Sequence, residues 1–247
     1  AFAVGLRVEH PRELINLIQL GYKNHPQLPA AEYSLAWNDK QTKRGIYSFC
    51  MCPGGVVVNS SSEEGGIVVN GMSLYRRDAE LSNSALVVSV RPEDFSGDDP
   101  LAGVRFQRQW EQEAFKAAGN SWHAPAQPLL EYLHGRGGRL HSSCRPQVVH
   151  ADLKLCLPDF VTDGICKALP HFNRRMPGFV GPEATLIGVE TRTSAPLRIL
   201  RGESGESLSH PGLYPLGEGA GYAGGIMSAA VDGLKTANLI LQTCQQQ

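Results

Sequence analysis

The chain has 247 residues, 42% hydrophobic and 19% charged, and its 23 basic and 24 acidic side chains leave a net charge of −1. It can bury an ordinary core. Lacking a basic run to neutralise a row of phosphates, it is not expected to take nucleic acid as its main partner. No apolar stretch reaches the ~18 residues of a membrane-spanning helix, and Ala1-Phe2-Ala3-Val4-Gly5-Leu6-Arg7 lacks the order of a signal peptide. Cys50, Cys52, Cys144, Cys156, Cys166 and Cys244 are spread through a chain too long to need disulfide staples, so they read as reduced thiols. A soluble, cytoplasmic protein without a membrane partner is expected. Because the chain starts without methionine, apparently within a strand, it reads as a fragment or a processed product.

In chain order, residues 3 to 9 alternate apolar and polar positions, as a half-buried strand does. His10-Pro11 then opens a helix with Leu14, Ile15, Leu17 and Ile18 as its stripe. From 33 to 90, β-prone runs at 45–49, 56–58, 66–69 and 85–90 are separated by turn residues and predict a mostly antiparallel region. Helical spacing covers 101 to 118, where Gly119-Asn120 ends it as a C-terminal cap. Shorter helices are predicted at 126–134 and 158–174, loops at 135–138 and 145–157, and strands at 186–191, 196–200 and 212–216. A long helix at 225–243 follows, with Ser228, Ala229, Ala230 and Gly233 permitting close packing. Residues Gln245 to Gln247 are expected to fray.

The segment Gly219-Ala220-Gly221-Tyr222-Ala223-Gly224 matches G-x-G-x-x-G. An ordinary dinucleotide-binding reading is rejected, since the pattern also requires a second strand and an acidic residue about 20 positions on. What remains is a glycine-dense strand-to-helix turn whose unpaired N–H groups favour an anion or an electron-rich ring. A tight packing turn is the alternative.

The run from Gly212 to Gly233 resembles the C-terminal flavin motif of glutathione-reductase-like flavoproteins, and is most similar to a bacterial family of uncharacterised FAD-dependent dehydrogenases. Segments 4–11, 49–55, 70–73, 83–86, 106–109, 125–127 and 190–196 are similar to further signature segments of that family. The resemblance implies an FAD-dependent oxidoreductase that passes a hydride between flavin and NAD(P)H or a small-molecule substrate. It implies that Gly217, Glu218, Gly219, Ala220, Gly221, Tyr222, Ala223, Gly224, Gly225 and Ile226 hold the flavin. It also implies a partner segment, an N-terminal dinucleotide-binding unit that this sequence lacks. The implied fold is α+β, and α/β in the intact protein. Residues 1–9 enter the junction, 10–185 form a β-rich substrate domain with helical insertions, and 186–247 supply the strand-loop-helix that completes the FAD-binding domain. Competing readings are a flavin-dependent RNA-modifying enzyme, which the balanced charge disfavours, and a truncated, non-catalytic binding module.

Three residues are catalytic candidates. Cys50 and Cys52, two positions apart on one side of a strand end, read either as a redox pair or as thiols packed beside a cofactor pocket. His10 reads as a helix cap or as a group near flavin. Arg192 and Arg198, flanking a predicted strand pair, could grip an anionic substrate or solvate a sheet face. His141, Cys144, His150 and Cys156 have no zinc-ligand spacing, so no metal is expected.

Overall fold

The computed structural model describes residues 2–97 and 99–245. Ala1 and, of the expected frayed tail, Gln246 and Gln247 lie outside the described residues, as does the side chain of Cys244. Nine strands are described: β1 (Phe2–Pro11), β2 (Ala36–Asp39), β3 (Arg44–Cys52), β4 (Val56–Asn59), β5 (Val69–Met72), β6 (Leu81–Val90), β7 (Ala124–Pro128), β8 (Val148–His150) and β9 (Thr185–Glu190). Five α-helices accompany them: α1 (Arg12–Leu20), α2 (Ala102–Ala117), α3 (Leu129–His134), α4 (Asp159–Arg175) and α5 (Ile226–Gln245). The fold is α+β. Seven strands form one sheet in the order β2-β3-β6-β1-β9-β7-β8, and β4 pairs with β5 in a separate antiparallel ribbon. The ladders β1·β9, β2·β3, β3·β6 and β7·β9 are antiparallel, whereas β7·β8 is parallel.

Contacts divide the chain into two compact units. One draws on the described residues of Ala1–Phe2, Val90–Phe106 and Arg192–Gln247; the other comprises Ala3–Ser89 and Gln107–Thr191. The second unit holds nearly all of the sheet. Its middle strand, β1, is buried from Phe2 to His10, so the expected half-buried alternation is corrected. The physical reason is position. A strand at the centre of a sheet that is covered on both sides has no solvent face, and its polar residues must find partners inside. Ala3, Ala85 and Val87 form a buried cluster with Tyr47 and Phe49 packed against it, and Gly164 of α4 approaches Ile46 and Val88 closely.

Sequence patterning finds most elements, with corrections at their ends. Residues 126–128 finish β7, and helix begins only at Leu129 after Pro128, which fixes an extended backbone. The run expected at 66–69 becomes a strand only at Val69 and continues to Met72. Within the expected loop 145–157 lie β8 and a short 3₁₀ turn, Leu153–Cys156. Residues 196–200 and 212–216 are not strands. Pro196 and Pro215 have no N–H for a ladder, and Gly212 sits at φ 81°, outside the β region.

In the first unit, Phe2, Phe95 and Phe106 form a ring cluster with centroids 5.9–6.1 Å apart. Helix α5 exposes Met227, Val231, Leu234 and Leu241, which recur on one face.

Gly5 on β1 tests the packing, because a Cβ there would lie 1.9 Å from the Leu86 carbonyl oxygen. Gly5→Ala is expected to cost about 1–3 kcal/mol through overpacking, read as a lower urea midpoint with an unchanged slope. An unaltered midpoint would show that β1 and β6 are not held this closely.

Candidate functional site

Arg7 is the largest side chain wholly inside the second unit, at 0% exposure. Its Nε donates to Asn83 Oδ1 at 2.7 Å, and Nη1 donates to Glu190 Oε2 at 2.7 Å and Asn70 Oδ1 at 3.3 Å. Nη2 donates to the Cys50 carbonyl at 2.6 Å and lies 3.7 Å from Cys52 Sγ. The guanidinium fork therefore joins β1, β3, β5, β6 and β9. Gly71 makes room for it, since a Cβ there would meet Nη2 at 2.1 Å. Burial drives the Glu190 carboxyl above its ordinary range, and the adjacent guanidinium opposes that rise.

Cys50 and Cys52 lie at an irregularity in the β3·β6 register between Phe49 and Cys52. Cys50 adopts φ 43°, a left-handed conformation that non-glycine residues rarely take. The strand alternation expected to place both thiols alike is broken here: Cys50 is exposed and Cys52 is buried. The Cys52 thiol donates to the Cys50 carbonyl at 3.5 Å, and neither cysteine forms a disulfide. Opposite Cys52 in the ladder is Asn83, whose buried Nδ2 has no hydrogen-bond partner among the described residues.

Further along β1, Glu9 accepts from the Ser142 hydroxyl at 2.5 Å, from the Ser143 hydroxyl, and from the Ser143 N–H at 3.1 Å. Burial pushes its carboxyl upward against those bonds. His10 is fully buried, its ring tilted at 43° with its centroid 4.4 Å from that of Phe179, and its Nε2 lies 2.7 Å from the Phe179 carbonyl. A carbonyl only accepts, so Nε2 carries the proton and Nδ1 is the acceptor left without a partner among the described residues. Burial lowers the imidazole to about 4. His10 is not the cap of α1; Pro11 holds that position. A cavity of about 460 Å³ in the same unit is lined by Pro11, Arg12, Glu13, Glu80, Arg139, His141 and Glu183. Arg12 Nε is buried there without a partner among the described residues.

In the first unit, the glycine loop is a compact turn. Gly221 N–H donates to Glu218 O at 2.9 Å, Tyr222 N–H to Gly217 O at 3.0 Å, and Gly217 N–H to Asp232 Oδ2 at 2.9 Å. Arg201 grips Asp232 with two bonds, at 3.0 and 2.6 Å, and its guanidinium lies 3.7 Å over the Tyr222 ring. Gly221 is required by space, because a Cβ would meet the Leu197 carbonyl at 2.3 Å, and by its φ of 83°. At Gly219 and Gly224, by contrast, a Cβ would meet nothing within 4 Å. A cleft of about 480 Å³ runs along Ser194–Arg198 and Gly221–Gly224. Helix α5 begins at Ile226, and the N–H groups of its first turn have no partner within the helix. Arg198 donates to Gly221 O at 3.0 Å from coil, not from the predicted strand pair, and Arg192 is exposed coil.

The structure thus brings Cys50 and Cys52 together around Arg7, places His10 farther along β1, and gathers residues 217–225 into one loop that ends at Ile226, the first residue of α5. The polar partners of Arg7 escaped a motif-based reading. Their signal was a charged or amide residue inside an apolar strand: Arg7 in Phe2–Val8, Asn83 in Leu81–Val90 and Glu190 after Thr185–Val189. Among the described residues no group of His, Cys, Asp and Glu is arranged to hold a metal. No helix described is long and apolar enough to cross a membrane.

Residues 1–193 match the family described as FAD-dependent protein, C-terminal domain-like. The chain belongs to that family. A curated relative, an uncharacterized protein of Clostridium beijerinckii (strain ATCC 51743 / NCIMB 8052), is 50% identical over 247 residues. The alignment covers 98% of this chain but 46% of the relative, so the chain spans about half its length. The family match takes in Arg7, His10, Cys50, Cys52, Asn83 and Glu190 and ends before the glycine loop.

Two measurements check this site. Glu190→Ala leaves Arg7 charged and buried, so a loss of about 3–5 kcal/mol is expected in urea unfolding, against under ~1 kcal/mol for Glu32→Ala in the half-exposed Arg77 pair. Equal losses would show that Arg7 is not held by this pair. His10 has its folded pKa below its unfolded value, so its contribution is complete above pH 6.5 and is lost as pH falls toward 4. Between those limits the wild type should lose roughly 3 kcal/mol that His10→Gln does not lose. Parallel pH curves for the two proteins would contradict the burial of a neutral imidazole.

Proposed function

We propose that the protein is an FAD-dependent oxidoreductase, in which the loop from Gly217 to Ile226 holds part of the flavin. The observation that carries this reading is the open face of the loop. Gly221 is locked against the Leu197 backbone, while Gly219 and Gly224 leave space where any side chain would project. A loop whose glycines served internal packing alone would have all of them pressed against neighbours.

The residues fit such a group in three ways. The N–H groups at the start of α5, which lie ahead of the first intrahelical acceptors, favour phosphate oxygens or negative charge on a ring together with the positive end of the helix dipole. Glu218 is exposed and accepts hydrogen bonds from hydroxyls. The Arg201–Asp232 pair fastens Gly217 N–H and keeps the loop in place. Hydride exchange with NAD(P)H or an organic substrate is the chemistry that a bound flavin supplies. Cys50, Cys52 and His10 are the candidate groups on the substrate-domain side. The cavity beside Arg12 is of a size that suits a small polar substrate. This reading concerns the whole protein, with a dinucleotide-binding unit as the partner of this chain and a cytoplasmic setting.

Gly219→Val and Gly224→Val in the intact protein test the loop. Both side chains enter empty space, so melting temperatures should hold while FAD affinity falls about tenfold or more, measured by flavin fluorescence quenching. Wild-type FAD binding by both variants would remove the loop from the cofactor site.

A further inference from the structure

We infer that Cys50 and Cys52 form a thiol–disulfide exchange site whose substrate is a low-molecular-weight disulfide. The two sulfurs stand in complementary positions. Cys50 is exposed and held in a left-handed conformation at a break in the β3·β6 ladder, where an incoming disulfide can reach it. Cys52 is buried, its sulfur 3.5 Å from the Cys50 carbonyl and 3.7 Å from an Arg7 nitrogen. In a regular strand, residues two apart are separated by about 6.6 Å, near the upper limit that a disulfide spans. The irregularity is what frees this pair from strand geometry.

The surroundings supply the electrostatics of the second step. Arg7 is fixed by Asn83, Glu190 and Asn70 and fastens both the Cys50 carbonyl and the Cys52 sulfur, so positive charge is set beside the thiol that must act as nucleophile. Asn83, directly opposite Cys52, keeps a buried Nδ2–H without an acceptor among the described residues. A purely structural amide at 0% exposure would be expected to have its donor satisfied.

The exchange balances without a further oxidant. The Cys50 sulfur attacks one sulfur of the substrate, the substrate S–S bond breaks, and one thiol leaves with the electron pair and the Cys50 proton. The Cys52 sulfur then attacks the Cys50 sulfur of the mixed disulfide, and the second thiol leaves with the Cys52 proton. Two protein thiols become one disulfide, and one substrate disulfide becomes two thiols. No flavin takes part, so the site stands or falls independently of the loop at Gly217.

The test uses the intact protein and bis(2-hydroxyethyl) disulfide, with acid quenching and mass spectrometry of the peptide that contains both cysteines. The wild type should lose two hydrogens on that peptide and release both substrate thiols. Cys52→Ser should stop halfway, with a mercaptoethanol adduct stable on Cys50, and Cys50→Ser should lose the reaction. Circular dichroism confirms that each variant is folded. A persistent Cys50 adduct in the wild type would overturn the inference, and so would unchanged reactivity of folded Cys50→Ser. Asn83→Leu and Arg7→Lys provide the second line: each should slow resolution of the adduct without slowing its formation. If both steps slow equally in these folded variants, the cluster is structural.

Discussion

A guanidinium with no access to water must satisfy five N–H donors from protein atoms, and in this chain that requirement gathers the centre of the sheet. Arg7 reaches a carboxylate, two amide oxygens, a main-chain carbonyl and a sulfur, contributed by residues as far apart as Cys50 and Glu190. Each partner must occupy one position for the charge to be tolerated, so the pair with Glu190 specifies the arrangement as much as it stabilises it. The exclusion of a Cβ at Gly71 and the buried amide of Asn83 are further consequences of the same constraint.

One stretch of unusual backbone in the second unit lies next to this buried charge. The break in β3, the left-handed Cys50 and the Asn83 donor that has no partner among the described residues occur within one ladder, while the strand ends farther away remain regular. Strain that persists in a packed sheet is over-determined by its surroundings. Here the determinant is identifiable, because the Cys50 carbonyl and the Cys52 sulfur are bonded to the same fork. In the first unit the fixing interaction has the same chemical form, a guanidinium on a carboxylate. There Arg201 and Asp232 are partly exposed and hold a loop open.

Elements with a strong period were legible in the sequence: β1, β3, β4, β6 and β9, the helix after His10-Pro11, α2 with its Gly119-Asn120 end, α4 and α5. Strand runs without ladder partners were not. Residues 196–200 and 212–216 have strand-like composition, but Pro196, Pro215 and Gly212 cannot complete a ladder. The glycine loop was legible as a glycine loop, and its division into a locked Gly221 and an open Gly219 and Gly224 was not, since that depends on where Leu197 passes. The cysteine pair was visible as C-x-C, but its burial asymmetry arises from a ladder irregularity with no local signature. Most of all, Arg7 read as one polar position in an alternating strand, because a partner 183 residues away leaves no periodicity.

The apolar face of α5 has a practical meaning for anyone handling the molecule. Met227, Val231, Leu234 and Leu241 present to water a stripe of the kind that other helices bury, and Leu200, Leu208 and Leu213 add further apolar surface in the same unit. Water gains by covering such a surface with whatever lies nearest. In a concentrated sample of this chain by itself, the nearest cover is another copy. Light scattering or a broadened elution profile would then record hydrophobic adhesion at α5, and should not be taken for a designed quaternary structure.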